Sequence, residues 1–201
     1  MVKKSQLMVK RRRRGTELET DLLDTAWNEL VEVGFANLTM ESVAERARTG
    51  IAVLYRRWSN KDQLVLAALG HYSESHPTHA PDTGTLRGDL LAALKSMGEA
   101  RATFFSVAFA AAFSGLAVNS GLTPLQIRDE IVGDQLLSRI RTIYARAHSR
   151  DEIDLDDIPA AVLTLPFDLV RHDLLMDPRP LKPERLNSII DEIVMPLLRS
   201  R

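Results

Sequence analysis

The sequence predicts an all-α protein of about nine helices, divided into a smaller N-terminal and a larger C-terminal subdomain. Three observations predict it. Apolar residues recur at three- and four-residue steps along most of the 201 residues. Capping residues stand where those patterns begin. No stretch of useful length alternates apolar and polar at period two, so strands have no support.

The first helix is marked by Leu18, Leu22, Leu23, Ala26, Trp27, Leu30 and Val31 and ends at Gly34. Thr39 caps a short helix over 40–46, Gly50 breaks the chain, and a second short helix spans 51–58. Ser59, with Asp62 three residues on, is expected to cap a longer helix carrying Val65, Ala68, Leu69 and Tyr72 on one face. Residues 76–84 hold two prolines and a glycine and read as the subdomain boundary. Beyond them come helical patterns at 86–97 and 101–118. Thr123-Pro124-Leu125-Gln126 then opens a helix running to about His148. The helix over 158–176 contains Pro166, expected to kink it. Leu186, Ile189, Ile190, Ile193, Val194, Leu197 and Leu198 form an apolar stripe on the last helix.

Composition excludes several chemistries. There is no cysteine, hence no disulfide, thiolate metal site or thiol nucleophile. His71, His76 and His79 lack the helical spacing of a metal pair, so no metal and no cofactor are expected. No nucleophile elbow and no phosphate-cradling glycine loop occurs, so an enzyme is not expected. Residues 102–127 carry no charge, but Ser106, Ser114, Gly115, Asn119, Ser120 and Pro124 interrupt the stretch, which reads as a buried helix rather than a membrane span. No apolar segment follows the basic N-terminus as in a signal peptide, and a cytoplasmic protein is expected.

Net charge is −1, but residues 1–66 carry 12 Lys/Arg against 9 Asp/Glu. Lys3, Lys4, Lys10, Arg11, Arg12, Arg13 and Arg14 precede the first acid, Glu17. Such a block repels itself, stays extended when free and seeks polyanions, so residues 1–14 read as a disordered basic arm. The two short helices that follow have the spacing of a helix-turn-helix. Leu54 and Trp58 can pack against Val43, Ala44 and Ala47 while Tyr55 and Arg56 point outward, where arginine can fork onto guanine or grip phosphate. A helical hairpin without DNA affinity has the same spacing.

The stretch from Thr39 through Leu54-Tyr55-Arg56-Arg57-Trp58 to Lys61-Asp62-Gln63-Leu64, with Ala26-Trp27 and Gly34-Phe35 before it, resembles the DNA-binding signature of TetR-family transcriptional regulators over about residues 15–72. Two positions depart from that pattern: Arg48 stands at the usual turn glycine, and Gly50 at the usual small polar residue, leaving Thr49 as the candidate cap. The resemblance implies a DNA-binding domain over 15–76 and a helical effector-binding and dimerisation domain over 77–201. It implies DNA contacts by Arg11, Arg12, Arg13, Arg14, Thr39, Arg48, Thr49, Gly50, Ile51, Val53, Tyr55, Arg56 and Lys61. Lys61 and Thr39 would hold phosphate, Val53 or Ile51 a thymine methyl.

Dimerisation through the last two long helices is implied likewise, with Val162, Leu165, Leu169, Leu186, Ile190, Ile193 and Leu197 at the interface and an inverted-repeat DNA operator. Phe105, Phe109 and Phe113 lie four apart among alanines. Large rings beside small residues either interdigitate as core or wall a cavity. The resemblance favours a pocket for a mostly apolar effector, lined by Phe104, Phe105, Phe109, Phe113, Phe167 and His172. The expected function is thus a ligand-responsive transcriptional regulator, a repressor acting as a homodimer. The competing reading is a helical ligand-binding or structural protein whose helix-turn-helix does not read DNA. Gel shifts separate the two.

Overall fold

The computed structural model describes residues 15–199, and every regular element among them is helical. The basic arm with Arg11, Arg12, Arg13 and Arg14 lies outside the described residues. Helix α1 (Thr16–Asn37) buries Leu22, Leu23, Ala26, Trp27 and Leu30 and is broken at Gly34, whose φ of 75° only glycine adopts without strain. Helices α2 (Met40–Arg46), α3 (Ile51–Tyr55) and α4 (Lys61–Ser75) follow. Thr39 caps α2 through a reciprocal box with Ser42, each side chain accepting the other's backbone N–H. Arg46 at the end of α2 pairs with Glu29 at 2.9 Å and Glu32 at 2.6 Å, bracketing α2 to α1.

The cap of α4 falls one residue later than the sequence suggests. Asn60 accepts from the Gln63 N–H, and the Gln63 side chain reaches back to take both the N–H and the hydroxyl of Ser59. Serine and asparagine are both good caps, and the Gln63 contact is what separates them.

Helices α5 (Leu86–Lys95), α6 (Ala102–Ala111) and α7 (Ala117–Ser120) are joined or followed by single π turns at Ser96–Ala100 and Ala112–Leu116. In the second, Gly115 takes φ 119°, so the long uncharged stretch is a bent rod. By length and composition this run, Ala102–Ser120, passes as a membrane span; it packs against α1 and α9. Helix α8 (Pro124–Ser149) opens with the Thr123–Gln126 box and Pro124 in its first turn. Helix α9 (Ala160–Met176) runs through Pro166. Helix α10 (Pro183–Ser188) passes through a π turn, Ile189–Val194, into α11 (Met195–Arg199). Pro196 stands just past that turn, where its missing N–H and ring oppose regular α pairing.

A cluster of buried side chains runs from Leu22 to Leu198 and continues from one half into the other. Residues 76–84 form a strap rather than a free linker. Arg139 donates to the Thr78 carbonyl at 3.0 Å and Arg146 to that of Pro81 at 3.0 Å. Asp82 lies 3.7 Å from Arg146 and 3.6 Å from Arg150. The two halves meet through α1 on α6 and α4 on α8.

Candidate nucleic-acid interface and effector cavity

The turn between α2 and α3 is a Schellman motif. The Thr49 N–H bonds the Ala44 carbonyl and the Arg48 N–H that of Glu45, both at 3.0 Å. The residue at its apex, Arg48, adopts φ 55°. A non-glycine residue there is strained by about 1–2 kcal/mol, partly offset by the greater chain entropy glycine loses on folding. Arg48→Gly should therefore stabilise the protein by about 0.5–1 kcal/mol, read as a raised urea midpoint at unchanged m-value. An unchanged or lowered midpoint would mean that the arginine side chain contributes more than the turn strain removes.

Gly50 occupies the cap position of α3, so that helix begins without a side-chain cap, and Thr49 does not supply one as its N-cap. A Cβ at Gly50 would meet nothing within 4 Å, so neither crowding nor its φ of −77° demands glycine. Leu54 and Trp58 are buried, as are Val43 and Ala44 of α2, on which α3 packs. That fixes the face of α3 that looks outward: Ala52, Tyr55 and Arg56 are exposed, Tyr55 at 49%. Ile51 and Val53, expected at the bases, are half-buried and packed on the core. Arg57 is turned away, with Nη1 on the Val53 carbonyl and Nε 4.0 Å from Glu19.

Lys61 is less free than expected. Its Nζ donates to the Phe35 carbonyl at 3.0 Å and lies 4.4 Å from the Phe35 ring centre. It pins the start of α4 to the end of α1 and keeps donors for a phosphate. Likewise the Thr39 N–H is taken by Ser42 Oγ, leaving the hydroxyl proton and the amides of Met40 and Glu41 for an anion.

In the C-terminal half, α6, α8 and α9 line an apolar cavity of about 370 Å³ that opens to solvent beside Phe113 and Leu125. Phe104, Phe105, Phe109 and Phe113 line it, with Ala108 and Ala112 leaving the space between rings. Arg128, Asp168, Arg171 and His172 supply polar groups. Asp168 pairs with Arg171 at 2.7 Å, and His172 lies 3.5 Å from Asp173. A second cavity of about 50 Å³ lies beside Arg101, Arg139 and Phe167. Phe167 thus belongs to that smaller cavity and not to the large one, because the α9 face it shares with Val170 and Leu174 turns into the core.

Comparison with known proteins decides what these two halves are. Residues 22–68 match the model for bacterial regulatory proteins of the tetR family, and residues 80–193 match that for the tetracyclin repressor-like C-terminal domain. The chain belongs to the TetR family. It is similar to the DNA-binding transcriptional repressor TetR of Mycobacteroides abscessus, with 30% identity over 205 residues, covering 92% of this chain and 96% of that protein. It is also 30% identical over 187 residues to the uncharacterised HTH-type transcriptional regulator Mb1581 of Mycobacterium bovis, covering 90% and 87% of the two chains. Among solved structures, a TetR transcriptional regulator from Agrobacterium tumefaciens superposes with a TM-score of 0.65 at 17% identity, covering 92% and 95%. The TetR family regulator SCO0332 gives 0.62 at 22%, covering 89% and 97%.

This TetR-family chain is therefore a DNA-binding, ligand-responsive transcriptional regulator, of a family whose members bind DNA, form dimers and answer to small molecules. An aromatic stack links its two halves. Trp27 of α1, Tyr72 of α4 and Phe104 of α6 form a triangle with centroids 4.1, 5.3 and 5.9 Å apart, and His76 stacks on the other side of Tyr72 at 4.1 Å. Phe104, 1% exposed, is as much the join between halves as a cavity wall. Tyr72, Arg101 and Arg139 escape a reading by residue pattern. The one available signal is that Arg101 is the charge immediately before the uncharged stretch.

Of the residues expected at a dimer interface, Leu186 and Ile190 are buried in the protomer's own core. The apolar stripe on α10 and its π turn packs on α5 and α9 before any partner arrives. Val162, Leu165, Leu169 and Ile193 are half-buried, and Leu197 is 45% exposed.

Proposed function

We propose that this TetR-family regulator is a cytoplasmic homodimeric repressor that releases an inverted-repeat operator when a small, mostly apolar effector enters the large cavity. The observation that carries the reading is the outward face of α3. Ala52, Tyr55 and Arg56 stand exposed while Leu54 and Trp58 hold the helix down from behind. Ala52 can meet a thymine methyl, Arg56 a guanine edge, and Tyr55 a phosphate. The open backbone at Gly50 lets α3 approach the groove closely. Arg48 and Thr49 in the turn, the α2 start at Thr39, and Lys61 flank that face with phosphate donors. Arg11, Arg12, Arg13 and Arg14 extend the contact along phosphates or a narrow minor groove.

Dimerisation uses what the protomer leaves uncovered: the half-buried Val162, Leu165, Leu169 and Ile193, and the exposed Leu197. Twofold symmetry sets half-sites about one helical turn, roughly 34 Å, apart.

Gel shifts with random genomic fragments, followed by footprinting of those retained, test the reading. A protected inverted repeat is expected. Arg56→Ala should lower operator affinity by about 1–3 kcal/mol and relax preference at one position per half-site. An equal loss on nonspecific DNA would reduce Arg56 to a phosphate contact, and no retained fragment would overturn the DNA-reading role. Lys61→Ala is a poor probe of phosphate contact, because it also unpins α4 from Phe35.

A further inference from the structure

Arg101 stands in the bend between the first π turn and α6, with φ −114° and 8% exposure. Its Nε and Nη2 atoms are buried without a hydrogen-bond partner. A guanidinium carries five N–H donors and does not shed its proton in proteins, so an unpaired one in the interior is strongly unfavourable. The Phe104 ring centre lies 4.7 Å and the Phe105 ring centre 5.9 Å from its central carbon. Rings can shield the face of a guanidinium, but its donors lie in the plane and need acceptors.

The space beside Arg101 is the cavity of about 50 Å³, and a second buried cation, Arg139 of α8, lines it too. Burial, and then the charge of Arg101, hold the Arg139 guanidinium below its ordinary pKa. Among the described residues no carboxylate lines this cavity; the strap Thr78–Pro81 and apolar side chains complete it. Arg101 thus faces a void to which no described residue brings an anion, and its neighbour there is a second cation rather than a carboxylate. Such an arrangement destabilises the free protein and is what a missing anionic ligand would correct.

Phe105 lines both this cavity and the apolar one of about 370 Å³. On the reading that the larger cavity holds the effector, we propose that the effector is an amphipathic carboxylate. Its carboxylate pairs with Arg101 in the small cavity, and its apolar body lies past Phe105 in the large one. The planar fork of a guanidinium matches a carboxylate in two parallel hydrogen bonds. A space of about 50 Å³ admits such a head group and has no room for a nucleotide or a sugar phosphate. Because Phe104 carries the Arg101 guanidinium, stacks on Tyr72 and lies tilted against Trp27, seating the carboxylate acts on the aromatic join to α1 and α4.

The test titrates the full chain and its Arg101→Met variant with straight-chain carboxylates from octanoate to hexadecanoate, and with the alcohols of the same lengths. Tryptophan emission, melting temperature and release of the footprinted operator are followed. Carboxylates should bind the wild type about 10- to 100-fold more tightly than the matching alcohols, the usual worth of hydrogen bonds to a charged group. Arg101→Met should abolish that preference, and its ligand-free form should melt above the wild type, because an unpaired buried charge is gone. Arg101→Lys, which keeps the charge and loses the fork, should retain part of the preference. Equal binding of carboxylates and alcohols by the wild type, or undiminished carboxylate binding by both variants, overturns the carboxylate assignment and leaves the cavity reading in place. Binding of neither class at any length overturns both.

Discussion

Phe104→Ala should lower the stability of this regulator by about 3–5 kcal/mol, the range for truncating a buried phenylalanine that leaves a cavity. The ring is 1% exposed and contacts Trp27, Tyr72, Phe105 and the Arg101 guanidinium, drawn from three helices. The space cannot collapse easily, because α1, α4 and α6 are each held by further contacts. In a chain of 201 residues each kcal/mol shifts the melting temperature by about 2–4 °C, so a fall on the order of 10 °C is expected. Phe104→Leu separates packing from stacking. It keeps most of the volume, so the loss of stability should be less than half as large, but it removes the ring that joins the cavity wall to Tyr72. Effector-driven release from DNA should then weaken more than effector binding does. A melting temperature unchanged in Phe104→Ala would refute the assignment of this residue to the join. An unimpaired response in Phe104→Leu would place the coupling elsewhere, along the α4–α8 contact.

Asp89→Ala should cost about 2–4 kcal/mol and make the protein less sensitive to acid. Asp89 is 0% exposed, and its carboxylate accepts from the Thr83 N–H at 2.5 Å, the Thr83 hydroxyl at 2.9 Å and Arg150 at 3.1 Å. Burial alone would raise its pKa. The hydrogen bonds from Thr83 and the Arg150 guanidinium outweigh that and hold the carboxyl below the usual carboxylate range. Breaking a buried pair costs about 3–5 kcal/mol when the partner is stranded. Arg150 is not stranded, since Asp82 and Glu152 remain, so the lower figure is expected. The depressed pKa means that the stabilisation is complete above the unfolded value of about 3.9 and is lost as pH falls through the folded one. The difference in urea midpoint between wild type and variant should therefore be smaller at pH 3 than at pH 7. A gap of the same size at both values would assign the loss to packing alone.

Helices and their starts were legible in the sequence because the signals are local. A cap acts on a backbone N–H three residues away, and the Thr39–Ser42 and Thr123–Gln126 boxes are both of that kind. Where two good caps stand side by side, as at Ser59 and Asn60, a third side chain chose between them. The strain at Arg48 was equally local, since a Schellman turn needs a left-handed residue whatever occupies it. The helix-turn-helix was legible for the same reason: its residues are neighbours in the chain, and burying Leu54 and Trp58 sets which side of α3 faces out.

Helical periodicity names an apolar face but not what covers it. Leu186, Ile190 and Leu197 share one stripe, yet only the packing of α10 and its π turn on α5 and α9 buries the first two and leaves the third exposed. The sequence shows 76–84 as a boundary but not as an anchored strap, because its anchors, Arg139 and Arg146, lie some sixty residues further on. The pairing of Asp89 with Arg150 spans a similar distance along the chain, and the meeting of Arg101 with Arg139 joins α8 to the start of α6. Buried charges are assigned their partners by the closing of the fold, and where closing supplies none, as at Arg101, tertiary structure alone makes that visible.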